Sequence, residues 1–144
     1  LAGGGLPTAQ TLSVDYQLQP TNMPDTGTGT HSWRIRRLRF LDSVPAVLEE
    51  IWLDAVRASN LDVSMLPESL YHFYQSQLGF WISRTEDSVG VGAVPDWAPA
   101  KLGLEPASPC GVVDRIAWAQ DATPVEYSRS WFNPAIARYV ARLI

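Results

Sequence analysis

The stretch WRIRRLRF, Trp33 to Phe40, sets four arginines within six positions: Arg34, Arg36, Arg37 and Arg39. A helix would scatter them around most of its circumference. A strand sends alternate side chains to opposite faces, and the pattern then resolves: Arg37 and Arg39 share a face with Ile35, while Arg34 and Arg36 share the other with Leu38 and Phe40. The β-branched and aromatic flanks favour the strand. The cluster is unexpected in a chain with 11 basic against 15 acidic residues and a net charge of −4.

Working outward, TLSVDYQL (11–18) alternates Leu12, Val14, Tyr16 and Leu18 and reads as a strand. Between the two lies QPTNMPDTGTGTHS (19–32), a loop by its prolines, glycines and threonines, expected to be long and mobile. The Gly-rich start, residues 1–10, is expected to be a flexible segment. After the arginines, PAVLEEIWLDAVRASNL (45–61) reads both ways. Ala, Leu and Glu with Pro45 at a first turn tip local propensity toward a helix, yet Val47, Ile51, Trp52 and Leu53 suit a strand.

LPESLYHFYQSQLG (66–79) predicts a helix with Pro67 at its first position, Glu68 in the first turn and Gly79 as C-cap. Leu70, Phe73, Tyr74 and Leu78 would form its core stripe. FWISRTEDSVGVGAV (80–94) reads as a strand, with Gly90 and Gly92 marking a bulge. PDWAPAKLG (95–103) reads as a short helix capped by Asp96 and stopped by Gly103. CGVVDRIAW (110–118) and PVEYSRSWF (124–132) form a hairpin, whose second strand places Glu126, Ser128, Ser130 and Phe132 on one face. A tail helix is expected after Asn133-Pro134, with Ile136, Tyr139 and Val140 inward. The mixture predicts an α+β domain with a mainly antiparallel sheet and packed helices.

Composition narrows the function. With 144 residues, 46% hydrophobic and 18% charged, the chain suits one domain with a real core. No apolar run reaches the roughly 18 residues that span a bilayer, so no membrane partner is expected. The single Cys110 excludes an internal disulfide, fits a reducing, cytoplasmic setting, and reads as a packing residue. His31 and His72 lie far from any Cys/His cluster, so neither a metal site nor a cofactor is expected. An acidic chain without a helix-turn-helix pattern argues against direct contact with nucleic acid.

Three segments taken in order, RRLRFLDSVPAVLEEIWL (36–53), ESLYHFYQSQLGFWISRTEDSVGVGAV (68–94) and LGLEPASPCGVVDRIAWAQDATPVEYSRSWF (102–132), resemble the UbiC transcription regulator-associated (UTRA) domain. That domain is the effector-binding half of the HutC-like branch of GntR transcriptional regulators, and TPVEYSRSW is the strongest piece of the likeness. The resemblance implies a chorismate lyase-like fold over residues 11–144 and a strand, not a helix, at 45–53. It also implies a ligand pocket lined by Arg37, Arg39, Glu49, Ser69 and Glu126, with Phe132 at the pocket end near Glu126. Two guanidiniums on one strand face make a fork for carboxylate or phosphate, and a helix start adds N–H groups.

The resemblance further implies a small anionic metabolite as effector, a homodimer, no catalytic residue, and DNA contact only through an N-terminal winged helix-turn-helix domain that this chain lacks; an excised fragment of a regulator is expected. Other readings stand beside it. The arginines suit an ion-paired strand face, Glu126 a cross-strand partner for Arg115, and Ser69 a cap. A chorismate lyase-like enzyme and a pocketless dimerisation module are the alternative functions. Phe132 and Asn133 depart from the family's tyrosine and arginine, so the ligand's identity does not carry over.

Overall fold

The computed structural model describes residues 7–21 and 29–142. Strands β1 (Pro7–Leu18), β2 (His31–Leu41), β3 (Val44–Asp54), β4 (Ile82–Ala93), β5 (Pro109–Ala119) and β6 (Pro124–Phe132) build one antiparallel sheet in the order β1-β2-β3-β6-β5-β4. The arginine stretch is a strand, as its alternation predicts. β1 begins at Pro7, so Pro7–Gln10 is sheet rather than loose chain: Ala9 and Gln10 stand opposite Arg39 and Leu38. Residues 1–6 and 22–28, expected to be loose, lie outside the described residues.

β3 is a strand against its helix-leaning composition. It is flanked on both sides, by β2 and β6, and both its faces are covered: Ala46, Leu48 and Leu53 are fully buried. Sheet pairing on two edges outweighs the propensities of Ala, Leu and Glu. The turn from β2 needs only Asp42 and Ser43, both at positive φ (49° and 65°), the backbone of a two-residue hairpin that follows the sheet's twist.

Segments pack on both faces of the sheet. On one, Trp33, Ile35, Ile51 and Leu53 meet Leu70, Phe73, Tyr74 and Phe80. The first three come from a four-residue α turn, α1 (Leu70–Phe73), that continues as a π turn over Tyr74–Leu78 and stops at Gly79, left-handed with φ 75°; Phe80 follows it. The helix starts later than its sequence suggests. Ser69 is the N-cap, and the carbonyls of Pro67 and Glu68 accept from Arg37 instead of opening a helix. On the opposite face Leu38, Leu48, Cys110 and Trp131 pack against Val94, Leu102 and Trp97. Here the expected helix at 95–103 shrinks to a 3-10 turn, Ala100–Leu102, capped by Pro99 rather than Asp96 and ended by Gly103.

Two further expectations are corrected. The register shift of β4 falls between Ile82 and Arg84, not at Gly90 and Gly92; Ser83 is the extra residue, and its hydroxyl donates to the Ala119 carbonyl at 2.9 Å. No tail helix forms among residues 133–142. After a turn whose amides at Ile136 and Ala137 donate to the Asn133 carbonyl, the chain continues without regular structure. Ile136 is exposed, Val140 is half-exposed at the edge of the cavity, and Ala137 is the buried residue. The sheet content matches the sequence reading; the helical content is much smaller.

Candidate ligand cavity

Pairing in the sheet assembles a row of polar side chains from strands distant in sequence. Arg37 stands opposite Glu49 and Glu49 opposite Ser130. In the next row Ile51 faces Ser128 and Ser128 faces Arg115, which faces Asp87. All these positions fall on the α1 side of the sheet by the two-residue period. The start of α1 and the segment around Tyr139 and Val140 close over them, leaving a cavity of about 660 Å³. Arg37, Arg39, Glu49, Ser69, Glu126 and Phe132 all line it. The structure therefore brings together every side chain selected from sequence.

Their circumstances differ. Arg37 is 1% exposed. Its Nη2 donates to the carbonyls of Pro67 (3.1 Å) and Glu68 (2.9 Å), and its Nε is buried with no partner. Among the described residues no carboxylate forms an ion pair with it. Burial pushes this guanidinium below its ordinary pKa range, against the opposing pull of Glu49. Arg39 instead meets Glu49, in a long contact of 3.5 Å between partly exposed groups. Arg34 and Arg36 lie on the other face: Arg34 pairs with Asp15, while Arg36 pairs with Glu50 and stacks on Trp97. Glu50, on the face opposite Glu49, is thus engaged by Arg36 and by the Trp52 indole.

Ser69 lines the cavity and also caps α1, accepting from the His72 amide at 3.3 Å. The capping reading of this residue is observed, and its position on the cavity wall leaves its side chain beside the space a ligand would fill. Glu126 is 3% exposed and accepts from the Tyr74 hydroxyl, itself fully buried. Burial pushes the Glu126 carboxyl up to about 7; nearby Glu49 adds to the rise, while the Tyr74 hydrogen bond, Arg115 and Arg37 oppose it. Arg115 is not the ion-pair partner of Glu126. Its Nε and Nη2 grip both oxygens of Asp87, at 2.7 and 3.0 Å, which raises the arginine and lowers the aspartate. Phe132 lies against Gly111, its cross-strand neighbour, with its ring where a Cβ would sit.

The polar lining groups not selected from the sequence include Tyr71, Arg115, Ser128, Ser130 and Tyr139. Ser128 shares the face of Glu126 two residues on, so alternation alone could have nominated it. Tyr139 was given to a helix that does not form. Among the described residues there is no cluster of metal-binding side chains and no helix long and apolar enough to cross a membrane.

The family model described as the UTRA domain matches residues 20–137. The chain belongs to the UTRA domain family. Its sequence is 43% identical over 143 residues to the HTH-type transcriptional regulator SmoD of Agrobacterium fabrum, covering 99% of this chain and 61% of that protein. It is 25% identical over 103 residues to the mannosyl-D-glycerate transport/metabolism system repressor MngR of Escherichia coli, covering 70% of this chain and 42% of that one. The UTRA chain thus spans less than two thirds of the length of these curated relatives. In fold it is similar to a ligand-binding domain assigned to a GntR-family regulator of Bordetella bronchiseptica (TM-score 0.87, 21% identity, 100% of this chain and 93% of that one). It is also similar to the effector domain of PhnF from Mycobacterium smegmatis (TM-score 0.79, 22% identity, 99% and 90%). Its fold is thus that of a domain assigned to a GntR-family regulator, and its relative SmoD is named as an HTH-type transcriptional regulator.

Proposed function

We propose that this UTRA domain senses a small metabolite with one anionic end, and that the anion sits against Arg37. The state of that side chain carries the reading. A buried cation is costly unless it is paired. Arg37 is held rigidly by two carbonyls, faces the cavity, and has no carboxylate for a partner among the described residues. A ligand carboxylate, phosphate or other oxyanion supplies the missing counter-charge.

The rest of the lining suits a polar ligand body. Ser69, Ser128 and Ser130 offer hydroxyls, Glu49 and Glu126 accept hydrogen bonds, and Phe40, Val47 and Phe132 supply apolar contact. Arg39, only loosely engaged by Glu49, would give the anion a second guanidinium. MngR is named for a system handling mannosyl-D-glycerate, a compound whose name joins a sugar to an acid. In our reading the ligand is bound and not transformed. Binding shifts a homodimer between two arrangements and so alters DNA contact by a domain beyond this chain, in the cytoplasm. That needs unequal affinity for the two arrangements.

The test is thermal unfolding against a panel of sugar phosphates, sugar acids, phosphonates, fatty acids and chorismate. A compound at about 100 times its dissociation constant adds roughly 2.7 kcal/mol, several degrees for this size. The shift is expected for an anionic compound and is expected to vanish in Arg37→Gln. A shift that survives that substitution would place the anion elsewhere. Release of product from chorismate would instead favour a lyase.

A further inference from the structure

The cavity is closed on one side by the segment that follows β6, and the way that segment is held points to a gate. Beyond β6, the backbone hydrogen bonds of the described residues stop at Ala137, which is 1% exposed. Residues 138–142 make none with another described residue. Yet Tyr139 and Val140 line the cavity. Among the described residues one polar anchor fixes this stretch: the Tyr139 hydroxyl donates to Asp87 Oδ2 at 2.7 Å. Asp87 is itself held by both guanidinium contacts of Arg115. The anchor joins the strap to β4, across β5 from the strand where the strap begins. Arg138, next to the anchor, is exposed.

A segment with no backbone hydrogen bonds and a single side-chain latch opens at low free energy, independently of the sheet beneath it. We propose that residues 138–142 are a gate over the cavity, latched by the Tyr139–Asp87 hydrogen bond, through which the ligand enters and leaves. Its importance for sensing rests on the cavity being a ligand site; the gate itself does not.

Two ligand-free measurements test it, both on Tyr139→Phe, which keeps the ring and removes the latch. The first is the rate of tryptic cleavage after Arg138, with cleavage after Arg84 inside β4 as the control for unfolding. The second is the rate at which iodoacetamide labels a cysteine placed in the cavity by Ser128→Cys, with buried Cys110 replaced by alanine. Loss of one hydrogen bond to a carboxylate predicts about tenfold faster reaction in both, with cleavage after Arg84 unchanged. Unchanged rates would overturn the latch. Faster cleavage without faster labelling would overturn the gate, since the strap would then open without exposing the cavity. Acceleration matched by faster cleavage after Arg84 would also overturn it, by showing general unfolding. Silence of the anion panel toward a protein that passes both tests would count against the anion reading alone.

Discussion

Tyr74 donates its hydroxyl to Glu126, and both groups are shut off from solvent between α1 and β6. The pair ties the helical segment to the sheet at the inner end of the cavity and gives the fold a predictable response to pH. The Glu126 pKa is raised from 4.5 to about 7, with burial the largest cause. The folded state therefore holds a proton that the unfolded chain has released between those values. The contribution to stability is full below about pH 4.5 and is lost as pH rises through about 7. The wild-type protein is expected to lose roughly 3 kcal/mol over that window from this group. Glu126→Gln should flatten that part of the profile, measured as Tm from about pH 5 to about pH 8. An identical slope in both proteins would show that another group titrates.

Arg37→Gln separates structure from binding. The substitution leaves the carbonyls of Pro67 and Glu68 short of a donor just ahead of α1, yet it also removes a buried charge with no counter-ion. The first effect destabilises and the second stabilises, so the net cost should be modest, about 1–2 kcal/mol by denaturant unfolding. Arg39→Gln, on a partly exposed group in a loose pair, should cost less than about 1 kcal/mol. Stabilisation by an anionic compound should be abolished in the first and weakened in the second.

Gly111 is required by the ring of Phe132 rather than by backbone angles. A Cβ there would overlap that ring. Gly111→Ala should destabilise by about 1–3 kcal/mol through overpacking, and adding Phe132→Leu should recover part of the loss. Strictly additive effects in the double mutant would show that the two positions do not share this space.

Ser69→Ala removes the cap of α1, in which Ser69 Oγ accepts from the His72 amide. A loss of about 1 kcal/mol is expected. If Ser69 also touches the ligand, the same substitution should weaken the anion-induced Tm shift beyond what the stability change explains, while Ser69→Thr should retain both roles.

How far the site was legible in the sequence follows from the range of each signal. Alternation in Trp33–Phe40 and in Pro124–Phe132 placed Arg37, Arg39 and Glu126 on the faces they occupy, because a strand's two-residue period is local. Gly79 and Gly103 end their segments as expected, each at positive φ. The start of α1 was misjudged because the Pro67 and Glu68 carbonyls are claimed by Arg37, some thirty residues earlier. The sequence predicts a helix for the tail because nothing local announces a strap whose one anchor among the described residues is Asp87, 52 residues away.

By itself the sequence determined the strand pattern, the closing hairpin and the kinship that the order of its motifs carries. Local periodicity and turn chemistry suffice for these. That β3 is a strand follows from the resemblance and not from local propensity; the physical reason lies in the tertiary structure, where burial on both faces and pairing on both edges outweigh its composition. Tertiary structure alone decided which of the four arginines is left without an ion-pair partner among the described residues. Arg34, Arg36 and Arg39 each meet a carboxylate from a neighbouring strand, while Arg37 meets only carbonyls. The four are chemically identical, and what distinguishes them is the company that long-range pairing brings within hydrogen-bonding reach.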